Sequence, residues 1–362
     1  MKIGVDAGTL SVSDERLKVG VYRVVSNLLQ GLGRLDKTNS YTLYSFAAIE
    51  PAVMGQFGHR MKNAVLKPLI GWFTLRLPLE LRMHPVDIFL GAAQAVPPSS
   101  AYSIGFVYDV GFIHAPQAYP GSLSRLKEQT VGVVKRASGI VAISQSTKDD
   151  LVKQYGYEKS KITVVYPGID SRFTQKGTKT LRNNPYFLFV GALKPGKNVP
   201  AIIRAFAQIL TKSKKTFDLL LIGGDYWQDP QIEQTIQDLG IGERVIRMGH
   251  VPDEDLPAYY RGAVALVNPS LWEGFCLPAA EAMACGCPVI ASTAGSLPEI
   301  LGGGGVLIDP TDTDALVKAM LRVSSDTNLR QSMIQKGLER AKVFSWDTFA
   351  RTTLDIINRS RI

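Results

Sequence analysis

Cysteine is scarce in this 362-residue chain: Cys276, Cys285 and Cys287 are the three, an odd number gathered in one short stretch. That excludes a disulfide framework, and with no histidine close by in sequence they read as small buried residues rather than a metal centre. No run of about 18 apolar residues occurs, so no transmembrane helix is expected. Met1-Lys-Ile-Gly-Val-Asp6 meets an acid within a few residues and reads as a first strand, not a signal peptide, which makes the cytoplasm the expected location. The strand runs on into Val5-Asp-Ala-Gly-Thr-Leu10 without a Gly-x-Gly-x-x-Gly, so a dinucleotide oxidoreductase drops out. There is no fixed-period repeat, no low-complexity segment and no recognised nucleic-acid motif.

The length suits two domains of about 180 residues, each able to bury its own core. Hydrophobic residues make up 45% and charged residues 20%, an ordinary globular balance. The net charge of +9 is uneven: up to Asp170 there are 19 Lys and Arg against 13 Asp and Glu. Its sharpest concentration runs from Lys62 to Arg82, where Lys62, Lys67, Arg76 and Arg82 interleave with Leu66, Leu69, Ile70, Trp72, Phe73, Leu75, Leu77 and Leu79. Such a stretch suits either an anionic membrane surface or a buried helix with basic ends.

Strand-like apolar runs alternate with helical patterns, the mark of βα units on parallel sheets. One series comprises Lys2 to Asp6, Val86 to Leu90, Ser103 to Tyr108, Gly139 to Ile143 and the run from Lys161. Ser144 caps a helix within it. A polar stretch, 171–185, reads as a linker between a first domain, 1–170, and a second, 186–345. The second series starts at Tyr186 to Gly191 and continues at Leu219 to Gly223, Arg244 to Met248, Val264 to Asn268, Pro288 to Ser292 and Gly305 to Ile308. Ser296-Leu-Pro-Glu299 predicts a capping box, Gly302 to Gly305 a turn, and 346–362 a last amphipathic helix.

The richest segment is Ser270-Leu-Trp-Glu-Gly-Phe-Cys-Leu-Pro-Ala-Ala-Glu-Ala-Met-Ala-Cys-Gly-Cys-Pro-Val-Ile-Ala-Ser292. Pro278 suits a first helical turn and Gly286 followed by Pro288 a left-handed stop, so a helix from about Pro278 to Cys285 is predicted. The amides of Gly274, Phe275, Cys276 and Leu277 then stand at a helix N-terminus, which favours phosphate oxygens. Glu273 before the helix and Glu281 inside it can reach hydroxyls on either side of a diphosphate. Taken singly, each acid reads more simply as a loop carboxylate and an exposed helix residue.

As a whole, Glu-Gly-Phe-Cys-Leu-Pro-x-x-Glu-Ala-Met-Ala-Cys-Gly-x-Pro-Val-Ile-Ala-Ser resembles the donor-site signature of the family 4 retaining glycosyltransferases, and the resemblance extends over nearly the full chain. It implies an α/β fold of the GT-B type, with two Rossmann-like doubly wound domains facing each other across a deep cleft. It implies that the final helix crosses back to the first domain. Glu273 would contact the donor sugar and Glu281 the ribose, with the intervening amides on the diphosphate.

Other positions follow from the same resemblance. Gly191-Ala-Leu-Lys-Pro-Gly-Lys-Asn198 follows a strand, so Lys197 is expected to stabilise the leaving phosphate, with Asn198 beside it. The family usually adds an arginine here; this chain has Ala192 or Gly196 instead, and Lys194 reads as a solvated loop residue. Phe106-Val-Tyr-Asp-Val-Gly-Phe112 carries Tyr108 where relatives have a histidine on the donor sugar, and Asp109 either orients a substrate or caps a turn. His114 reads as structural. In Lys18-Val-Gly-Val-Tyr-Arg23, Gly20 allows close approach to the diphosphate. Val251, in Gly249-His-Val-Pro-Asp253, meets the base.

The expected activity is transfer of a hexose, with retention, from a nucleoside diphosphate sugar to a hydroxyl of a growing polysaccharide or lipid-linked glycan. UDP-glucose is slightly preferred over GDP-mannose. The nucleotide sugar is a co-substrate and no metal or other cofactor is expected. A peripheral contact with the inner face of the membrane through 62–82 accompanies this reading. Two alternatives stay open: a nucleotide-sugar epimerase of the same architecture, and a catalytically weak partner subunit.

Overall fold

The computed structural model describes residues 1–360 except Ser13, Glu15 to Leu17, Val19, Pro68, Leu69 and Asp225 to Gln228. Val19 of the Gly20 loop and Leu69 of the basic stretch thus lie outside the described residues. The chain forms two compact α/β units: one holds Met1–Val110, Gly121–Gly168 and Ser345–Ile362, the other Gly111–Pro120 and Ile169–Phe344.

In the first unit, seven strands form one parallel sheet: β1 (Lys2–Asp6), β2 (Ser40–Ser45), β3 (Met61–Val65), β4 (Ile88–Gly91), β5 (Tyr102–Val107), β6 (Gly139–Ala142) and β7 (Ile162–Val164). Their spatial order is β3-β2-β1-β4-β5-β6-β7. β1 is buried along its length after Lys2, as a strand covered on both faces must be, and its Val5 is in register with Leu43 and Leu90. β2 and β3 are additions to the predicted set. Their sequences, Ser-Tyr-Thr-Leu-Tyr-Ser and Met-Lys-Asn-Ala-Val, mix polar with apolar residues because they approach the sheet edge, where lysine is tolerated and guards against pairing with another chain. Lys62, read with the basic stretch, belongs to β3.

The helix Val21–Leu35 buries Val24, Val25, Leu28, Leu29 and Leu32. The final helix, Trp346–Arg359, packs on it so closely that a Cβ at Gly31 would lie 2.4 Å from Ala350 Cβ. Arg34 and Asp347 close the contact at 2.6 Å. A second apolar cluster joins the sheet residues Tyr44 and Phe89 to Leu66, Trp72, Leu77 and Leu81. Within the basic stretch, then, Leu66, Trp72 and Leu77 are core, while Ile70, Leu75 and Leu79 face outward.

The second unit has a six-stranded parallel sheet of β8 (Tyr186–Val190), β9 (Asp218–Ile222), β10 (Val245–Gly249), β11 (Ala265–Asn268), β12 (Val289–Ser292) and β13 (Gly305–Ile308), ordered β10-β9-β8-β11-β12-β13. Its core runs from Phe187, Phe189, Leu219 and Leu221 to the helix Val199–Lys212, whose Ile202, Ile203, Phe206 and Ile209 recur at helical spacing. Gly111–Pro120 belongs with this unit because it packs on the loop after β8, where a Cβ at Gly196 would lie 3.3 Å from Ala118 Cβ.

Candidate active site

In an open parallel sheet, ligand-binding loops gather where strand order reverses, beyond the carboxyl ends of the strands. The second sheet reverses between β8 and β11, and the loops that follow those two strands are Gly191–Asn198 and Pro269–Cys276. They meet there: Lys197 Nζ lies 2.5 Å from Glu273 Oε1, and the Leu271 amide donates to the Gly196 carbonyl at 2.9 Å. Asn198, in the left-handed region at φ 56°, donates from Nδ2 to the carbonyls of Pro269 and Pro310 and fixes the lysine loop to its neighbours. Asn198 thus holds the site together from beneath.

Glu273 is buried, and burial raises a carboxyl. The charge and hydrogen bond of Lys197, the Ser270 hydroxyl donating at 2.7 Å and the charge of Lys194 outweigh that, and the net shift is downward. Lys194 therefore bears on the site through space. Of the two positions, Ala192 and Gly196, at which relatives supply an arginine, Gly196 lies close to Ala118, whose Cβ would be 3.3 Å from a Cβ placed there.

The Glu273 carbonyl is held as firmly as its side chain. Ser296 donates to it from its amide at 2.9 Å and from its hydroxyl at 3.1 Å. This corrects the predicted capping box: Ser296 does precede the helix Leu297–Leu301, but its hydroxyl is spent on Glu273 and makes no cap bond. Ser144, by contrast, caps its helix as predicted, accepting from the Thr147 amide at 3.1 Å.

The helix after Glu273 spans Leu277–Ala284, one residue earlier than predicted, with Pro278 in its first turn and Gly286 left-handed at φ 69° beyond its end. Cys276 is its N-cap at φ 73°, a conformation rare for a residue with a side chain. Pro278 has no amide hydrogen and the Ala279 amide donates to the Cys276 carbonyl at 3.1 Å, so the part of this helix N-terminus that can offer donors to an anion is the loop from Gly274 to Leu277. Glu281 is not an exposed helix residue: it is 1% exposed and accepts from the Tyr260 hydroxyl at 3.1 Å. Phe275 is buried and packs edge-on against Phe344. Val251 is buried beyond β10, and the Gly249 carbonyl just before it accepts from Gly223 at 2.8 Å.

His114, read as structural, stacks flat on Trp272, beside Glu273, with ring centroids 3.6 Å apart and planes 4° from parallel. The three cysteines are free and buried, and burial raises each thiol.

The first sheet reverses between β1 and β4, and there the sequence reading had missed a residue. Asp6 ends β1 fully buried; Oδ1 accepts from the Gly8 amide at 3.1 Å, while Oδ2 has no hydrogen-bond partner among the described residues. The usable signal was its position, an acid at the carboxyl end of the first strand. Tyr108 is buried close by, its hydroxyl donating to the Ala92 carbonyl at 2.6 Å and its amide to Gln94 Oε1 at 3.0 Å. Gln94 also donates to the Asp109 carbonyl, so it ties the loop after β4 to the end of β5. Gly20 is the N-cap of the helix Val21–Leu35 at φ 52°, and among the described residues nothing lies within 4 Å of a Cβ built on it.

Burial pushes the Asp6 carboxyl up to about 7, against the lowering effect of the Gly8 and Ala93 amides. A carboxyl raised on folding favours the protonated native state: its stabilising effect is complete below the unfolded value near 4 and is lost as pH rises through about 7. Asp6→Asn is therefore expected to raise the urea midpoint at pH 8 and to lose that advantage at pH 5. Equal midpoint differences at the two pH values would refute this.

Among the described residues no helix is long and apolar enough to cross a membrane. Two family profiles match the chain: Glycosyltransferase Family 4 over residues 20–173 and Glycosyl transferases group 1 over 171–340. The D-inositol 3-phosphate glycosyltransferase of a Nocardioides species is 30% identical, covering 89% of this chain and 81% of its own length. The O-antigen chain mannosyltransferase B of Escherichia coli is 29% identical over 286 residues, with 76% and 75% covered. Among solved structures, sucrose-phosphate synthase from Thermosynechococcus elongatus aligns with a TM-score of 0.77 at 19% identity, covering 99% of this chain and 98% of that one. Anabaena HepE in complex with UDP-glucose aligns at 0.75 and 19%, covering 99% and 100%. Both share the fold.

Proposed function

The chain belongs to the group 1, family 4 glycosyltransferases, and from that premise we propose that it transfers a hexose, with retention, from a nucleoside diphosphate sugar to a hydroxyl of a growing polysaccharide or lipid-linked glycan. The observation that carries this is the Lys197–Glu273 pair at the second sheet's reversal, next to a helix N-terminus. Breaking the sugar–phosphate bond builds negative charge on the departing diphosphate. An ammonium has three donors, so Lys197 can hold Glu273 and also meet a phosphate oxygen, an interaction strongest in the transition state. Glu273, kept ionised by its neighbours, is an acceptor for sugar hydroxyls. Glu281 accepts from a ribose hydroxyl, and the amides from Gly274 to Leu277 take the diphosphate. Gly20, Tyr108, Asn198 and Val251 complete the donor set by support or backbone approach, and Asp109 orients the acceptor.

Retention follows from same-face substitution, in which the leaving phosphate accepts the acceptor's proton as the new glycosidic bond forms. Lys197 and the helix amides supply the counter-charge, so the reaction is expected to proceed in the presence of a chelator. UDP-glucose and GDP-mannose are the donors to compare; mannose gains weight from the name of the Escherichia coli relative. A peripheral membrane contact through 62–82, where Ile70 is 89% and Leu75 69% exposed, would bring the enzyme to a lipid-linked acceptor.

A thermal-shift panel of UDP, GDP and their sugars tests the reading. One nucleotide at about 100 times its dissociation constant should stabilise by about 2.7 kcal/mol, and Glu281→Ala should lose most of that gain. No shift with any member would refute the donor site. Product from donor alone would favour an epimerase. Binding without turnover across an acceptor panel would favour a partner subunit.

A further inference from the structure

An open pocket of about 530 Å³ lies in the first unit at the amino ends of its strands, away from the reversal that holds Asp6. Its floor is one face of the sheet: Lys2 pairs in register with Ser40, and Thr42 with Lys62, so these side chains share a side. Arg60 precedes β3, and the end of the helix Leu77–Met83 forms the facing wall through Glu80, Met83 and His84.

The pocket is cationic. Lys2, Arg60 and Lys62 are all exposed, and none forms an ion pair among the described residues. The carboxylate in the lining, Glu80, is already met by Arg76 at 2.9 Å and by His84 Nδ1 at 2.9 Å. Asp87, near the start of β4, accepts from the Lys2 backbone amide at 2.7 Å and leaves that residue's ammonium unmatched.

Beside the cations runs an apolar stripe. The helix Leu77–Met83 buries Leu77 and Leu81 against the sheet, yet Leu75, Leu79 and Met83, spaced four apart, are 69%, 47% and 54% exposed. Four-residue spacing puts Leu79 and Met83 on one side of the helix, Leu75 lies in the wider helical turn Trp72–Arg76 that leads into it, and Met83 reaches the pocket itself.

We propose that this pocket receives the phosphate headgroup of an anionic phospholipid while the Leu75, Leu79 and Met83 stripe enters the acyl region next to it. The proposal rests on the peripheral membrane contact above and names its partner. A free anion or a nucleic acid would use the three cations and leave the stripe in water. An apolar protein surface would cover the stripe and strand the cations. A headgroup with its acyl chains satisfies both, and the volume lies in the range of ligand clefts. β1 is five residues long, about 17 Å, so headgroup binding leaves the carboxyl end of the sheet open.

The test uses the full chain and sedimentation with phosphatidylcholine vesicles, with or without phosphatidylglycerol. Two charge-matched pairs are compared: Arg60→Ala with Lys62→Ala in the lining, and Lys67→Ala with Arg82→Ala outside it. The wild type should pellet only with the anionic vesicles, and the lining pair should weaken that binding at least about tenfold more than the outer pair. Dihexanoyl phosphatidylglycerol below its micelle concentration should raise the melting temperature of the wild type and the outer pair but not of the lining pair. Equal losses from both pairs, with no effect of the short-chain lipid, would overturn the pocket and leave the membrane contact standing. A wild type that ignores anionic vesicles would overturn both. An equal rise in melting temperature with inorganic phosphate would reassign the pocket to a free anion and overturn the proposal. The donor site is scored separately by the nucleotide panel.

Discussion

Lys197→Ala is expected to lower turnover at saturating donor by a factor of about 10² to 10³, the usual loss when one preorganised donor to a developing anion is removed. The ammonium is held within 2.5 Å of Glu273 in a partly buried setting, so its position is fixed before the donor arrives. Lys197→Arg should recover part of the rate, because charge is kept while reach and shape change. Lys194→Ala should cost far less, since its effect on Glu273 is the weakest of those that lower it. Removing Lys197 also leaves burial to act on Glu273 with less opposition. In the wild type this depressed carboxyl contributes stability above its unfolded value, and the contribution is lost as pH falls through the lower folded value. Without Lys197 that acid loss should begin at higher pH. Turnover within threefold of wild type would remove the leaving-group role.

Gly295→Ala should be strongly damaging although it touches no substrate. Gly295 has φ 64°, and a Cβ there would lie 2.3 Å from the Glu273 carbonyl oxygen and 3.0 Å from its nitrogen. Left-handed strain and the clash together are expected to cost about 2–4 kcal/mol. The melting temperature should fall by roughly 5–15 °C. Because Ser296 holds the same carbonyl, the backbone at Glu273 has no cheap way to retreat, and activity should fall with stability. Gly303→Ala is the control: φ is 84° there, but among the described residues nothing lies within 4 Å, so it should cost the strain alone. Equal losses at the two positions would show that contact with Glu273 is not the cause.

The parallel strands of both sheets' interiors were legible because they are continuous apolar runs, as in Tyr-Phe-Leu-Phe-Val at Tyr186–Val190. β2 and β3 were not, since strands near an edge do not have to be apolar on both faces. The helix at Leu277–Ala284 was readable to within one residue because proline and glycine punctuate it locally. The partners of Glu273 were less accessible. Ser270 lies three residues away and donates to it, yet serine in a loop has many uses, and Ser296 looked like a cap. Asp6 was hidden for a different reason. Its significance depends on which strands are neighbours, and strand order, unlike strand identity, comes from contacts between β1 and a partner more than eighty residues on.

The final helix also sets a timetable. The first unit takes its residues from both sides of the second, and the helix Val21–Leu35 is covered by Trp346–Arg359. At about 5–20 residues per second, the ribosome delivers that cover roughly 10–35 s after Gly168. During this interval the second unit, apart from Gly111–Pro120 a single uninterrupted segment, can fold to completion while the first still exposes an apolar helix face. A chaperone that binds the nascent chain would find its target there, around Gly31, and would lose it once Ala350 emerges.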